Sequence, residues 1–166
     1  SFDEVESGES PDYEKYKQMI IAFLRLEKSV TKTKLAKLVY LADAGWFYYH
    51  LKSMSGMQYR KIQYGPVPDS YFRIIDELYD NGQIEIKQTK DGAMIISETR
   101  GGAKYSLSKM SDEEKKLIHN IGEKWKTKNT KEIVAFTHNQ FPYLCAQENE
   151  IIMLGLITQE DPHEFY

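Results

Sequence analysis

From Tyr13 to about Glu27, apolar side chains recur at three- and four-residue steps, at Tyr16, Met19, Ile20, Phe23 and Leu24. That spacing predicts a helix with one face on a core. A second run, from about Thr33 to Leu51, places Leu35, Leu38, Val39, Ala42, Trp46 and Tyr49 on one face. Tyr40, Asp43, Phe47 and His50 repeat on its other side, so this helix has little purely polar surface and is expected at the centre of the molecule. Met57 to Gln63 alternates in the manner of a half-buried strand, with neither face cleanly apolar. Tyr64-Gly65-Pro66-Val67-Pro68 follows it. Two prolines there fix their own torsions, remove two amide donors and push Gly65 and Val67 toward extended backbone. The segment reads as a rigid turn that presents a surface, or more plainly as a strand-to-helix connector.

Asp69 is the expected cap of a helix carrying Tyr71, Phe72, Ile74, Ile75 and Leu78, which Asn81-Gly82 should stop. Ile84 and Ile86 then alternate with charged residues, Asp91-Gly92 supplies a turn and Met94 to Ser97 returns, a hairpin pattern that a short strand at Tyr105 to Leu107 can join. Ser111-Asp112-Glu113-Glu114 matches a capping box and opens a helix with Leu117, Ile118, Ile121 and Trp125 inward. A shorter helix follows Thr130. Residues 139–147 read as a turn with a helical stub, and 150–158 as strand or packed loop. The fold class is therefore α+β: a helix-dominated single domain over residues 13–166 with a small antiparallel sheet or hairpin.

The acidic, small-polar stretch at residues 1–12 reads as a flexible linker or the cut edge of a longer chain. A DNA-binding module preceding it is an expectation of the same kind. With 166 residues, 41% of them hydrophobic and 28% charged, the remainder is long enough for one core. The longest apolar runs, such as Ile151 to Ile157, fall far short of the roughly 20 residues a membrane span needs. No secretory signal is visible, so a cytoplasmic location is expected. Cys145 stands alone, which excludes an internal disulfide and a cysteine metal cluster; it reads as a small buried hydrophobe.

Motifs for chemistry are sparse. There is no P-loop, no Gly-rich dinucleotide turn, no His-Glu-x-x-His and no paired cysteine motif. His50, His119, His138 and His163 have no ligand-like spacing, so no metal, cofactor or catalytic residue is assigned. The acidic pairs Asp76-Glu77 and Glu113-Glu114 read as solvated helix faces. Asp43 is the one acid expected close to burial, and a buried carboxylate must find donors. Tyr59, a backbone amide in 54–66, or a nearby Lys or Arg are the expected partners. His50 lies two turns on, about 10 Å along the helix, too far for a direct catalytic hydrogen bond.

Lys37-Leu38-Val39-Tyr40-Leu41-Ala42-Asp43, then Lys52-Ser53-Met54-Ser55-Gly56, Tyr59 and Tyr64 to Pro68, in this order and spacing, resemble the Panacea domain, also called the SocA-like or phage-associated GepA-like antitoxin domain. The resemblance covers roughly residues 13–143, and 35–80 is its specific part. It implies a non-enzymatic antitoxin that binds and neutralises a protein toxin encoded beside it, in a bacterial or phage toxin–antitoxin system. Neutralisation by cover or by delivery to a protease is left open. Within the resemblance, Lys37, Tyr40 and Asp43 form a structural motif.

Twelve tyrosines favour a partner surface, because Tyr suits sites with one end buried and the other meeting a partner. Tyr59, Tyr64, Gly65, Pro66, Val67 and Pro68 are the expected toxin-binding residues. The competing reading is a winged-helix DNA-binding regulator, since two helices, a third helix and a hairpin come in that order and Thr31 to Leu38 reads as the start of a helix-turn-helix. A net charge of −3 lacks the basic stripe that phosphate contacts need, although Lys32, Lys34 and Lys37 can form a local patch. An unrecognised hydrolase using Asp43 and His138 is the third reading.

Overall fold

The computed structural model describes residues 10–166. Residues 1–9 of the expected linker lie outside the described residues, whereas Asp12 is part of the fold: its carboxylate accepts from the Lys15 amide to cap α1 (Tyr13–Glu27), and its own amide donates to the Ser55 carbonyl at 2.8 Å. At the other end of α1, Lys28 takes a positive φ of 64°. The chain turns there into a three-residue strand, β1 (Ser29–Thr31), and then into α2 (Lys32–His50), capped by Thr31 Oγ1. β1 gives no alternation signal because it has one apolar residue, Val30; it exists through its pairing.

The remaining elements are β2 (Arg60–Ile62), β3 (Gly65–Val67), α3 (Tyr71–Asp80), β4 (Ile84–Gln88), β5 (Met94–Glu98), a short α4 (Arg100–Ala103), α5 (Asp112–Trp125), α6 (Thr130–His138), a short α7 (Phe141–Leu144) and a 3-10 helix (Leu154–Gln159). β5 lies between β1 and β4, antiparallel to both, with Val30 opposite Ile96 and Ile86 opposite Ile96. The predicted hairpin is thus present. Its third strand is β1, and Tyr105 to Leu107 forms none, because Arg25 takes the Gly102 and Tyr105 carbonyls with its guanidinium while pairing with Glu98.

Two further expectations are corrected. The strand read over Met57 to Gln63 shrinks to β2, and the predicted Pro turn is itself strand β3, paired antiparallel to β2 with Arg60 opposite Val67. Asp69 does not cap α3; it holds Arg60 through two hydrogen bonds of 2.7 and 3.0 Å. The capping box at Ser111 and Glu114 is present, yet Glu114 is buried by its ion pair to Lys15 and is no solvated residue. Cys145 is exposed instead of buried.

α2 is the axis of the core. Leu35, Leu38, Val39, Tyr40, Leu41, Ala42 and Ala44 are fully buried, with α1, α5, α6, β3 and the 3-10 helix packed around them. Burial on all sides explains why its sequence carries apolar residues on both faces. Its end is abrupt. Leu51 caps it in the left-handed region (φ 58°, ψ 26°), its amide donating to the Phe47 carbonyl, and the Leu51 side chain is 72% exposed.

Candidate functional site

Asp43 is fully buried in the middle of α2 and organises the segment that follows the helix. Its Oδ1 accepts from the Ser55 amide at 2.7 Å, and its Oδ2 from the Ser55 hydroxyl at 2.7 Å and the Tyr59 hydroxyl at 2.5 Å. Charge-assisted bonds of this length are the strong ones. Ser55 Oγ also accepts from the Met57 amide, and Ser53 Oγ from the Gly56 amide, so the tight loop 53–57 is fixed against the helix. Gly56 needs its positive φ of 72°, and a Cβ there would stand 2.4 Å from the Ser10 carbonyl. The expected anchor role of Asp43 is therefore what the structure shows, with Tyr59 and a loop amide as predicted partners. Ser55, which donates twice, was not singled out by sequence reasoning, although it lies inside the Lys52 to Gly56 motif.

Tyr59 then carries the chain into β2. Its ring meets Tyr40 edge-on at 5.3 Å. Burial first, and the Asp43 carboxylate second, hold its hydroxyl pKa well above the ordinary value, so it remains a donor. The Ile152 amide donates to the Tyr59 carbonyl, the Lys61 amide to the Glu150 carbonyl, and the Asn149 amide to the Lys61 carbonyl, which joins β2 to the C-terminal part of the chain.

Lys37 is the second buried polar residue of the motif. It has no exposed surface, and its Nζ donates to the Tyr64 carbonyl at 2.6 Å while lying 4.7 Å from the Tyr64 ring centre. Gly65 (φ 122°) sits directly on it: a Cβ would fall 2.2 Å from Lys37 Cε and 3.2 Å from His138 Nε2. His138 stacks on Tyr143 at 4.2 Å, and Lys61 donates to the Tyr143 and Ala146 carbonyls. The structure thus brings Lys37, Gly65 and His138 together, which periodicity gave no means of foreseeing. Asp43 and His138, the residues of the hydrolase reading, meet different neighbours: Asp43 binds the loop, and His138 stacks on Tyr143.

Burial lowers the Lys37 pKa from the ordinary 10.5 to about 7. Between these values the unfolded chain holds a proton that the folded one has released, so the stability of the domain rises with pH from about 7 toward 10.5. His138, lowered by burial and then by Lys37 and Lys61, acts in the same direction at lower pH. Urea midpoints are accordingly expected to increase between pH 7 and pH 9, and Lys37→Met to flatten the increase. A wild-type midpoint that falls over this interval rejects the assignment.

Of the six residues expected to bind a toxin, five are buried: Tyr59, Gly65, Pro66, Val67 and Pro68. Their surface is packed inside the protein, with β3 against α2 and α6, so these five offer little surface to a partner in this conformation. Tyr64 is half-buried, its ring 5.2 Å from Phe72. The expected basic patch also dissolves. Lys34 is buried between Glu27 (3.0 Å) and the carbonyls of Trp125 and Lys128 (2.7 Å each), Lys37 is buried as described, and Lys32 lies over Phe72.

Helix α1, strand β1 and helix α2 are followed by the β2–β3 pair before α3 and the β4–β5 hairpin, with β1 paired to the second hairpin strand. The helix before the hairpin, α3, exposes Phe72, Arg73, Asp76, Tyr79 and Asp80, two acids and two aromatic rings to one base, which is poorly suited to the phosphate contacts of the DNA-binding reading. Among the described residues no three of His, Cys, Asp and Glu are placed to hold a metal ion, and no helix is long and apolar enough to cross a membrane.

The class defined by this fold and site is a helix-dominated α+β domain, in which the polar motif residues Lys37 and Asp43 lie buried as interior anchors. The chain belongs to the family described as antitoxin SocA-like, Panacea domain, whose model matches residues 35–142. No curated protein and no solved structure matches it.

Proposed function

We propose that this domain is a cytoplasmic antitoxin that binds and neutralises a cognate protein toxin encoded nearby, by contact and without turnover. The observation that carries this reading is the family match over residues 35–142, a span that holds Lys37, Asp43, Ser55, Tyr59, Gly65 and His138. Neutralisation needs a tight complex, and a nanomolar one corresponds to about −12 kcal/mol. A standard interface of about 1,600 Å² with a few aromatic anchors supplies that.

Co-expression with each genomic neighbour tests it. One neighbour is expected to arrest growth alone, to be rescued by this chain, and to co-purify with it. Toxicity that persists beside a well-expressed, folded domain, for every toxic neighbour, rejects the reading. Toxin half-life in the rescued cells separates cover from delivery to a protease: it is unchanged in the first case and shortened in the second.

A further inference from the structure

β4 forms one edge of the three-stranded sheet: β5 pairs with it on one side, and among the described residues no strand pairs with it on the other. The ladder decides which backbone groups face that open side. The Thr99 amide donates to the Gln83 carbonyl and the Thr89 amide to the Ala93 carbonyl, and in an antiparallel pair such bonded positions recur at every second residue. Glu85 and Lys87 therefore turn their amides and carbonyls to β5. Ile86 and Gln88 turn theirs outward, where no described residue bonds to them, and so does Ile84, whose position is buried.

Open edges are normally protected by a proline, a bulge, a covering segment or charge. Ile84-Glu85-Ile86-Lys87-Gln88 has no proline, and its register with β5 runs unbroken over all five residues. Its two charges have opposite signs and stand one on each side of Ile86. Among the described residues Glu85 and Lys87 are paired only with each other, at 3.6 Å, and their side chains are 51% and 74% exposed.

That arrangement is complementary to itself. A second β4 laid antiparallel along the open edge, with Ile86 opposite Ile86, sets Glu85 of each copy opposite Lys87 of the other. Ile86 then occupies a bonded position, and the two charge pairs occupy non-bonded positions, where opposed side chains come closest. The neighbouring registers that keep the bonding phase place Lys87 opposite Lys87 or Glu85 opposite Glu85, so the charges select one alignment.

We propose that this chain forms a dimer through β4, two copies pairing antiparallel about Ile86 and joining their three-stranded sheets into one. At the axis each Ile86 amide donates to the Ile86 carbonyl of the other copy, the two half-buried Ile86 side chains cover one another, and the two Glu85 to Lys87 pairs flank them. The pairing needs only this chain, so it stands apart from the antitoxin reading.

Sedimentation equilibrium from about 5 to about 500 μM tests it, because a dimer follows mass action. The weight-average mass of the wild-type chain is expected to climb from that of one chain toward that of two. Glu85→Lys and Lys87→Glu each set like charges together twice, and each is expected to raise the dimer dissociation constant about tenfold or more. Urea midpoints stay near wild type, as for other exposed positions. An equimolar mixture of the two single variants restores unlike charges on both sides of the axis and is expected to associate like wild type. A wild-type chain that remains monomeric over the whole range overturns the dimer. Single variants that associate as tightly as wild type, or a mixture that stays monomeric, overturn this pairing.

Discussion

Asp43→Ala is expected to cost about 3–5 kcal/mol of unfolding free energy, the range for removing one partner from a buried charged network. At this chain length that lowers Tm by about 10 °C. Three donors lose their acceptor at once: the Ser55 amide, the Ser55 hydroxyl and the Tyr59 hydroxyl. All belong to buried residues, so water does not replace the carboxylate. The loop 53–57 then releases the Asp12 amide held by the Ser55 carbonyl, and the start of α1 loosens with it. Asp43→Asn keeps one acceptor oxygen and turns a carboxamide NH2 toward a hydroxyl or backbone amide, so an intermediate loss is expected. Urea unfolding at pH 7 is the measurement; an alanine variant within about 1 kcal/mol of wild type, in the range of an ordinary surface change, rules out the anchor.

Gly65→Ala is expected to be nearly as damaging, at about 2–4 kcal/mol. A φ of 122° is closed to residues with a Cβ, and the added methyl falls 2.4 Å from the Lys37 amine. A surface lysine would swing aside. Lys37 has no exposed surface and its one hydrogen bond in reach of the strand goes to the Tyr64 carbonyl, so displacement exchanges a satisfied buried amine for an unsatisfied one. Pairing the change with Lys37→Ala offers a check on the mechanism: the shortened side chain vacates the collision, and the two losses should be less than additive. Strict additivity leaves backbone strain alone as the cause.

Helices with a strong three-to-four spacing were legible in the sequence almost to the residue, as α1 and the capping box of α5 illustrate. The hairpin β4–β5 was equally plain, because Asp91-Gly92 dictates its turn. What stayed hidden depends on chain segments far apart in sequence. Val30 alone cannot announce a strand; only Ile96 opposite it makes one. Tyr64 to Pro68 carries the marks of a turn, and pairing with β2 converts part of it into a strand. The same holds at the site. Asp43 declared itself by being an acid on an all-round apolar helix, and its partner Tyr59 was foreseen. The burial of Lys37 and of the five predicted toxin-binding residues was not, since aromatic and proline-rich composition is the same for a packed interior and a docking face.

The pairing of Tyr59 to Lys61 with residues 149–152 also has a kinetic side. Strands β2 and β3 are synthesised together, but the amide of Ile152 that closes onto Tyr59 arrives roughly 85 residues after Val67. At synthesis rates of about 5–20 residues per second, the hairpin waits some 4–17 s for its final strand-like neighbour. A nascent chain therefore leaves this edge of the β2–β3 pair unclosed until residue 152 has been made, whereas the hydrogen bonds of Asp43 to Ser55 and Tyr59, all within residues 43–59, form without waiting for it.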